Sequence, residues 1–328
     1  MKQFMIRVVP VSVVTLIIVF FSTSNTSNII GALGQQPQQQ QQQTYSFVLR
    51  WGSTGSADGQ FGEPSELTLD PAGNILVSDS GNDRIEKFSP DGSFISKWAF
   101  AGSADGQFHH THGIVVDFKT GDVYVGDQGN RRIEKFTSDG KFITKFGSNG
   151  SADGQFLHPH GISLDSSGNI YVADRDLARI QKFDSNGKFL MKWGSLGSAD
   201  GQFNKPWDVV VDSKGNSFVS DSANNRIQKF DSNGKFLMKW GSLGSADGQF
   251  KKPYGLAIDS ADDIYIADSG NSRVQKFTSD GKFITKWGTK GVANGEFKQP
   301  EGVTADSLGK IVYVSDTVAN NIQKFVIK

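Results

Sequence analysis

The sequence predicts an all-β chain folded as a six-bladed β-propeller of four-stranded blades, and three observations carry that prediction. First, one segment recurs: WGSTGSADGQF from Trp51, WAFAGSADGQF from Trp98, FGSNGSADGQF from Phe146, WGSLGSADGQF from Trp193 and Trp240, and WGTKGVANGEF from Trp287, 47 residues apart and once 48. A repeat of this period is the signature of stacked or radial supersecondary units. Second, each unit holds four short β-rich runs bounded by turn residues and no helical period. Third, the ends of the array complement one another. The last unit stops at Phe325 to Lys328 after its third strand, while Tyr45 to Trp51 (YSFVLRW) resembles the fourth strand of the other units. That N-terminal strand is expected to complete the last blade and close the ring, which removes the exposed sheet edge.

Before the propeller come two segments of different character. In residues 1–34, Lys2 and Arg7 precede an uncharged, mostly apolar run of 14 residues from Val8 to Phe21, followed by Ser22 to Asn25. The run matches the apolar core of an export signal and is short for a membrane span, which needs roughly 17 to 25 residues. Two readings stand open: a cleaved signal peptide, or an N-terminal membrane anchor. Residues 35–44 form a Gln-rich spacer, with eight glutamines and one proline from Gln35 to Gln43, a composition unable to bury apolar surface. The expectation is an extracytoplasmic protein, secreted or held at the membrane by this segment alone.

The propeller occupies residues 45–328. In its fifth unit the strands are expected at Gly255 to Asp259, Ile264 to Asp268, Arg273 to Phe277 and Lys282 to Trp287, with Asp280-Gly281 and the run Asp268 to Asn271 as turns. Residues 179–203 and 226–250 are identical over 25 positions, which points to a recent duplication.

Composition narrows the function. The chain carries 34 basic and 34 acidic side chains and no cysteine, so no global field draws it to nucleic acid, and thiolate zinc sites and cysteine nucleophiles are excluded.

The motif PYGLAIDSADDIYIADSGNSRVQKF, Pro253 to Phe277, resembles the NHL-repeat family, and the resemblance spans Tyr45 to Lys328. It implies a six-bladed propeller, a scaffold that hosts enzymes, sensors and docking platforms alike. Relatives that serve ubiquitin ligases use a RING, which a chain without cysteine cannot form. RNA-binding relatives use a basic face, and the export signal argues against that role here.

Residues repeated in every unit read as scaffold. Asp79, Asp127, Asp174, Asp221 and Asp268 stand five residues before Arg84, Arg132, Arg179, Arg226 and Arg273, the spacing of a carboxylate–guanidinium link across a turn. The sixth unit has Asp316 and Asn321. Phe88, Phe136, Phe183, Phe230, Phe277 and Phe325 are expected to pack between blades. Asp58, Asp105, Asp153, Asp200 and Asp247 lack the alternating acidic spacing of a calcium loop.

Candidate site residues are those that differ between units on one face. The residue entering each first strand should border the central channel, and around the ring it reads Ser65, His112, His160, Trp207, Tyr254 and Glu301. All five histidines lie in FHHTHGI (Phe108 to Ile114) and FLHPHGI (Phe156 to Ile162). His110, His112, His158 and His160 have the chemistry to share zinc or another divalent metal, or to form a cluster that charges near pH 6. Arg175 and Asp176 replace the Ser-Gly-Asn of other turns and bring a guanidinium near His160.

The pairs His112-Gly113 and His160-Gly161, with ADRDLARI from Ala173 to Ile180, are similar to motifs of peptidyl-alpha-hydroxyglycine alpha-amidating lyase. The resemblance implies zinc-assisted elimination with His160 and Arg175 as catalytic residues. In that family, however, the metal histidines lie on alternate blades, whereas His112 and His160 lie on neighbouring ones. The reading favoured here is a non-catalytic binding scaffold without a cofactor, acting as a monomer. Its mouth, made of Ser65, His112, His160, Arg175, Trp207, Tyr254 and Glu301, takes a protein, peptide or glycan ligand.

Overall fold

A computed structural model describes residues 43–328; the expected signal or anchor, and most of the Gln-rich spacer, lie outside the described residues. Six four-stranded antiparallel sheets follow one another along the chain. The first blade is Pro64–Leu69, Ile75–Asp79, Arg84–Phe88 and Phe94–Trp98, and the next four repeat its order. In the sixth sheet Pro300–Ala305, Ile311–Asp316 and Asn321–Ile327 are joined by Tyr45–Trp51, which pairs antiparallel with Asn321–Ile327. Tyr45 anchors that strand: its ring stacks on Trp287 at 4.3 Å and its hydroxyl lies 3.0 Å from that of Tyr265.

The apolar core is six clusters, each shared by two neighbouring blades. Phe61, Leu67, Leu69, Ile75, Val77 and Phe88 of the first blade pack with Tyr313 and Ile322 of the sixth. Leu76 and Ile85, on the other face of the first blade, pack with Ile114, Val123 and Phe136 of the second. Alternation along each strand thus feeds both neighbours, so every blade is buried on both faces. The expected phenylalanines are joined by a second set, Phe61, Phe108, Phe156, Phe203, Phe250 and Phe297, all fully buried.

This second set explains the recurring GSADGQF. Its backbone closes on itself, with Phe61 N donating to Ser53 O at 2.8 Å and Gly55 N to Phe61 O at 3.1 Å. Gly52, at φ +93°, admits the Phe61 ring where any side chain would stand 2.5 Å from it. The Asp–Arg link then ties this hook to the second turn. Arg84 Nε donates to Asp79 at 2.8 Å while its other nitrogens donate to the carbonyls of Ser56, Ala57 and Gln60. Asp58, Asp105, Asp153, Asp200 and Asp247 each pair with a fourth-strand lysine, Lys97 with Asp58 at 2.6 Å and Lys192 with Asp153 at 2.5 Å being examples.

The first strands begin two residues earlier than expected, at Pro253 rather than Gly255 in the fifth blade. Pro253 pairs with Asp268 and Leu256 with Ile266, so two residues oppose one between those pairs. The same bulge recurs in every blade. A bulge re-aims side chains, and these bulges lie at the channel.

Candidate functional site

The first of the two bulged residues is the channel position identified from the sequence, and the structure brings all six together. Glu301 Oε1 lies 3.1 Å from His112 Nε2, and the Thr317 hydroxyl donates to Glu301 Oε2 at 3.0 Å. The His112 ring stands 3.5 Å from that of His160, His160 stands 4.1 Å from Trp207, and Trp207 stacks on Tyr254 at 3.7 Å and 5° between planes. Ser65 completes the ring, its hydroxyl 2.7 Å from that of Ser80. Arg175 covers Trp207 with its guanidinium carbon 5.1 Å from the indole, and Nη1 of Arg175 lies 3.3 Å from Nε2 of His158.

These contacts divide the ring into buried and half-buried members. Ser65 and His160 are 1% exposed, and His112 and Glu301 are also buried; they plug the channel and leave Trp207, Tyr254 and Arg175 half-buried at the surface. Beside the plug is a cavity of about 450 Å³ lined by Glu63, His110, Trp207, Gln299, Glu301 and Asn320, among others. Lys205, Lys251, Lys252, Lys290 and Lys298 are exposed.

Three of the histidines, His110, His158 and His160, are held below their ordinary range. Burial holds the His160 imidazole well below its ordinary range, and His112, His158 and Arg175 push it the same way. Burial lowers His158 to about 4 despite Asp176 3.3 Å away, and lowers His110 as well, with His112 adding to the effect. The histidines do not converge on a common point. His110 and His112 are 6.2 Å apart, His158 and His160 are 6.0 Å apart, and His112 faces His160 ring to ring. Among the described residues no group of three or more histidine, aspartate or glutamate side chains is placed to hold a metal ion. The expected zinc set of His110, His112, His158 and His160 therefore does not fit this geometry, and no catalytic step is derived through a metal.

The second bulged residue forms a layer that the sequence reading passed over. Around the ring it reads Glu66, Gly113, Gly161, Asp208, Gly255 and Gly302. Two carboxylates occupy the channel waist, and the glycines make room for them. A Cβ at Gly161 would stand 2.0 Å from Asp208 Oδ1, and one at Gly255 3.0 Å from Glu66 Oε1. The signal was present in PSELTL and PWDVVV, whose third residue is acidic where the other four first strands have glycine. Only the bulge shows that this residue, like its neighbour, belongs to the channel.

Comparison with known proteins agrees with this architecture. The NHL repeat model matches residues 156–183, 203–230 and 250–277. Comparison of the sequence with curated proteins finds no match. Among solved structures, a Bacteroides thetaiotaomicron protein of unknown function is similar with a TM-score of 0.64 and 17% identity, over 87% of this chain and 76% of that one. A gluconolactonase from Xanthomonas campestris has a TM-score of 0.62 and 14% identity, over 83% and 88%. Virginiamycin B lyase from Staphylococcus aureus has a TM-score of 0.59 and 12% identity, over 86% and 99%. At such identities the likeness is one of fold. With six four-stranded sheets in sequence order and the repeat motif matched in three of them, this chain is a six-bladed β-propeller that carries NHL repeats.

Proposed function

We propose that this protein is a non-catalytic, extracytoplasmic binding scaffold that takes a protein segment, peptide or glycan at the plugged mouth of its channel. The observation that carries this reading is the pairing of half-buried Trp207 and Tyr254 with a 450 Å³ cavity walled by polar groups. Stacked aromatics supply rigid contact area, and nearby carboxylate, amide and hydroxyl groups orient what lies against it. The stacking of His160 and Arg175 against Trp207 supports recognition over catalysis, because both side chains are occupied in holding the aromatic platform. The basic residues followed by the apolar run Val8 to Phe21 support export.

Peptide and glycan arrays probed with the full chain and with a Trp207→Ala/Tyr254→Ala variant test the reading. Capture by the parent and its loss in a variant with nearly unchanged melting are expected. Equal capture by both would move the site elsewhere. Turnover of a peptidyl-alpha-hydroxyglycine by the zinc-supplied protein would replace the scaffold reading with a lyase.

A further inference from the structure

Past the waist the channel opens on the opposite face into a cavity of about 640 Å³. Leu67, Val115, Ile162, Val210, Leu256 and Val303 contribute apolar wall, and Glu66 and Asp208 form its floor. The size falls within the roughly 300–1,000 Å³ of small-molecule sites, and an apolar wall with a few convergent polar groups is their usual composition. Both acids are 5% exposed. Asp208 accepts from the backbone N–H of Leu256 at 2.8 Å and of Val209 at 2.7 Å, whereas Glu66 Oε1 has no hydrogen-bond partner among the described residues.

Among the described residues no cation pairs with either acid of the floor, although Lys119 also lines the vestibule. Burial pushes the Glu66 carboxyl well above its ordinary range, and the neighbouring charges that add to the shift are those of Asp208 and Glu301. Burial likewise raises Asp208 to about 7. Two buried carboxyls, one with an orphaned oxygen, at the end of an apolar funnel are complementary to a positive group on a hydrocarbon body.

We propose that this vestibule binds a small amphipathic organic cation, with its hydrocarbon part along the six apolar residues and its primary ammonium donating to Glu66 Oε1 and the Asp208 carboxylate. An ammonium offers three donors and a charge. An alcohol of the same length offers one donor and no charge, and a fatty carboxylate brings a negative group to a floor that already holds two acids. The site lies at the other end of the channel from the aromatic mouth and does not depend on the function proposed for that mouth.

Calorimetric titration of the full chain with octylamine, 1-octanol and octanoate tests the proposal. Octylamine is expected to bind at one site, octanol about tenfold or more weakly, and octanoate not at all. Glu66→Gln should weaken octylamine by about tenfold or more. Ser163→Phe adds bulk to a residue that lines the vestibule and is neither of the two acids, and should block binding. Equal affinity for octylamine and octanol, unchanged amine binding by Glu66→Gln or Ser163→Phe, or no amine binding by the folded parent would each overturn the proposal. Should Glu66→Gln fail to fold, the alcohol comparison and Ser163→Phe decide.

Discussion

In blades one, two, four and five the second-strand aspartate meets its arginine at 2.7–2.8 Å, four times over. In the innermost strands of those same blades the channel position is Ser65, His112, Trp207 and Tyr254, with no residue used twice. The periphery repeats because each blade must solve the same problem, fastening its hook to its turn and burying a phenylalanine between neighbours. The channel is free of that constraint, since its side chains meet one another across the axis and each meets something different. Departures from repetition at the periphery are accordingly informative. In blade three the Asp174–Arg179 contact lengthens to 3.5 Å, where Arg175 and Asp176 displace the Ser-Gly-Asn turn and both Leu157 N and His158 N donate to Asp174. The turn that carries Arg175 towards Trp207 has loosened its own clamp.

The largest effect should come from breaking the ring. A chain lacking residues 1–51 leaves Asn321–Ile327 as an open edge and removes Tyr45 from Trp287; the cooperative calorimetric transition is expected to disappear. A truncated chain that melts like the parent would show that the strand contributes nothing to closure.

Breaking one clamp comes next. Asp221→Ala strands the buried Arg226 guanidinium and should cost about 3–5 kcal/mol in denaturant unfolding. Asp174→Ala should cost less, because its contact is already long. Equal costs would erase the distinction between blade three and the others.

A pH-dependent effect separates the first two blades from the rest. Where blades three to six carry Gln181, Gln228, Gln275 and Gln323, blades one and two carry Glu86 and Glu134. Burial raises both carboxyls to about 7, although Arg84 and Arg132 lie 3.1 and 2.9 Å away and pull the other way. Such a group holds its proton more tightly when folded, so its contribution is complete below the unfolded value near 4.5 and is lost as pH rises through about 7. Glu86→Gln/Glu134→Gln removes that loss. The double variant should exceed the parent in stability by on the order of a few kcal/mol at pH 8 and by much less at pH 5. A gain of the same size at both pH values would mean that the carboxyls do not titrate in this range.

The smallest stability change belongs to the channel mouth. Trp207→Ala or Tyr254→Ala removes one partner of a half-buried stack and should cost on the order of 1 kcal/mol in thermal unfolding. A loss as large as that of Asp221→Ala would make the aromatic pair a structural element.

Much of this architecture was legible because repetition makes local signals reinforce one another. The blade count, the strand order, the Asp–Arg spacing and the ring of Ser65, His112, His160, Trp207, Tyr254 and Glu301 follow from aligning the chain with itself. The role of Phe61 and its equivalents was harder to read, because the hook that buries them depends on backbone bonds such as Phe61 N to Ser53 O. The arrangement of the histidines was hidden for a related reason. Spacing two apart says that His110 and His112 share a strand segment, but not that His112 turns to Glu301 and His160, whose burial keeps it neutral.

What the sequence determined by itself is the set of interactions closed within one blade and its neighbour, where covalent spacing and strand alternation leave a single arrangement. The tertiary structure alone decided what meets across the axis. Glu66 and Asp208 are 142 positions apart and share a waist because two bulges aim them inward and four glycines clear the space. The same closure makes one mouth a packed aromatic plug and the other an apolar funnel, since each depends on six strands arriving together.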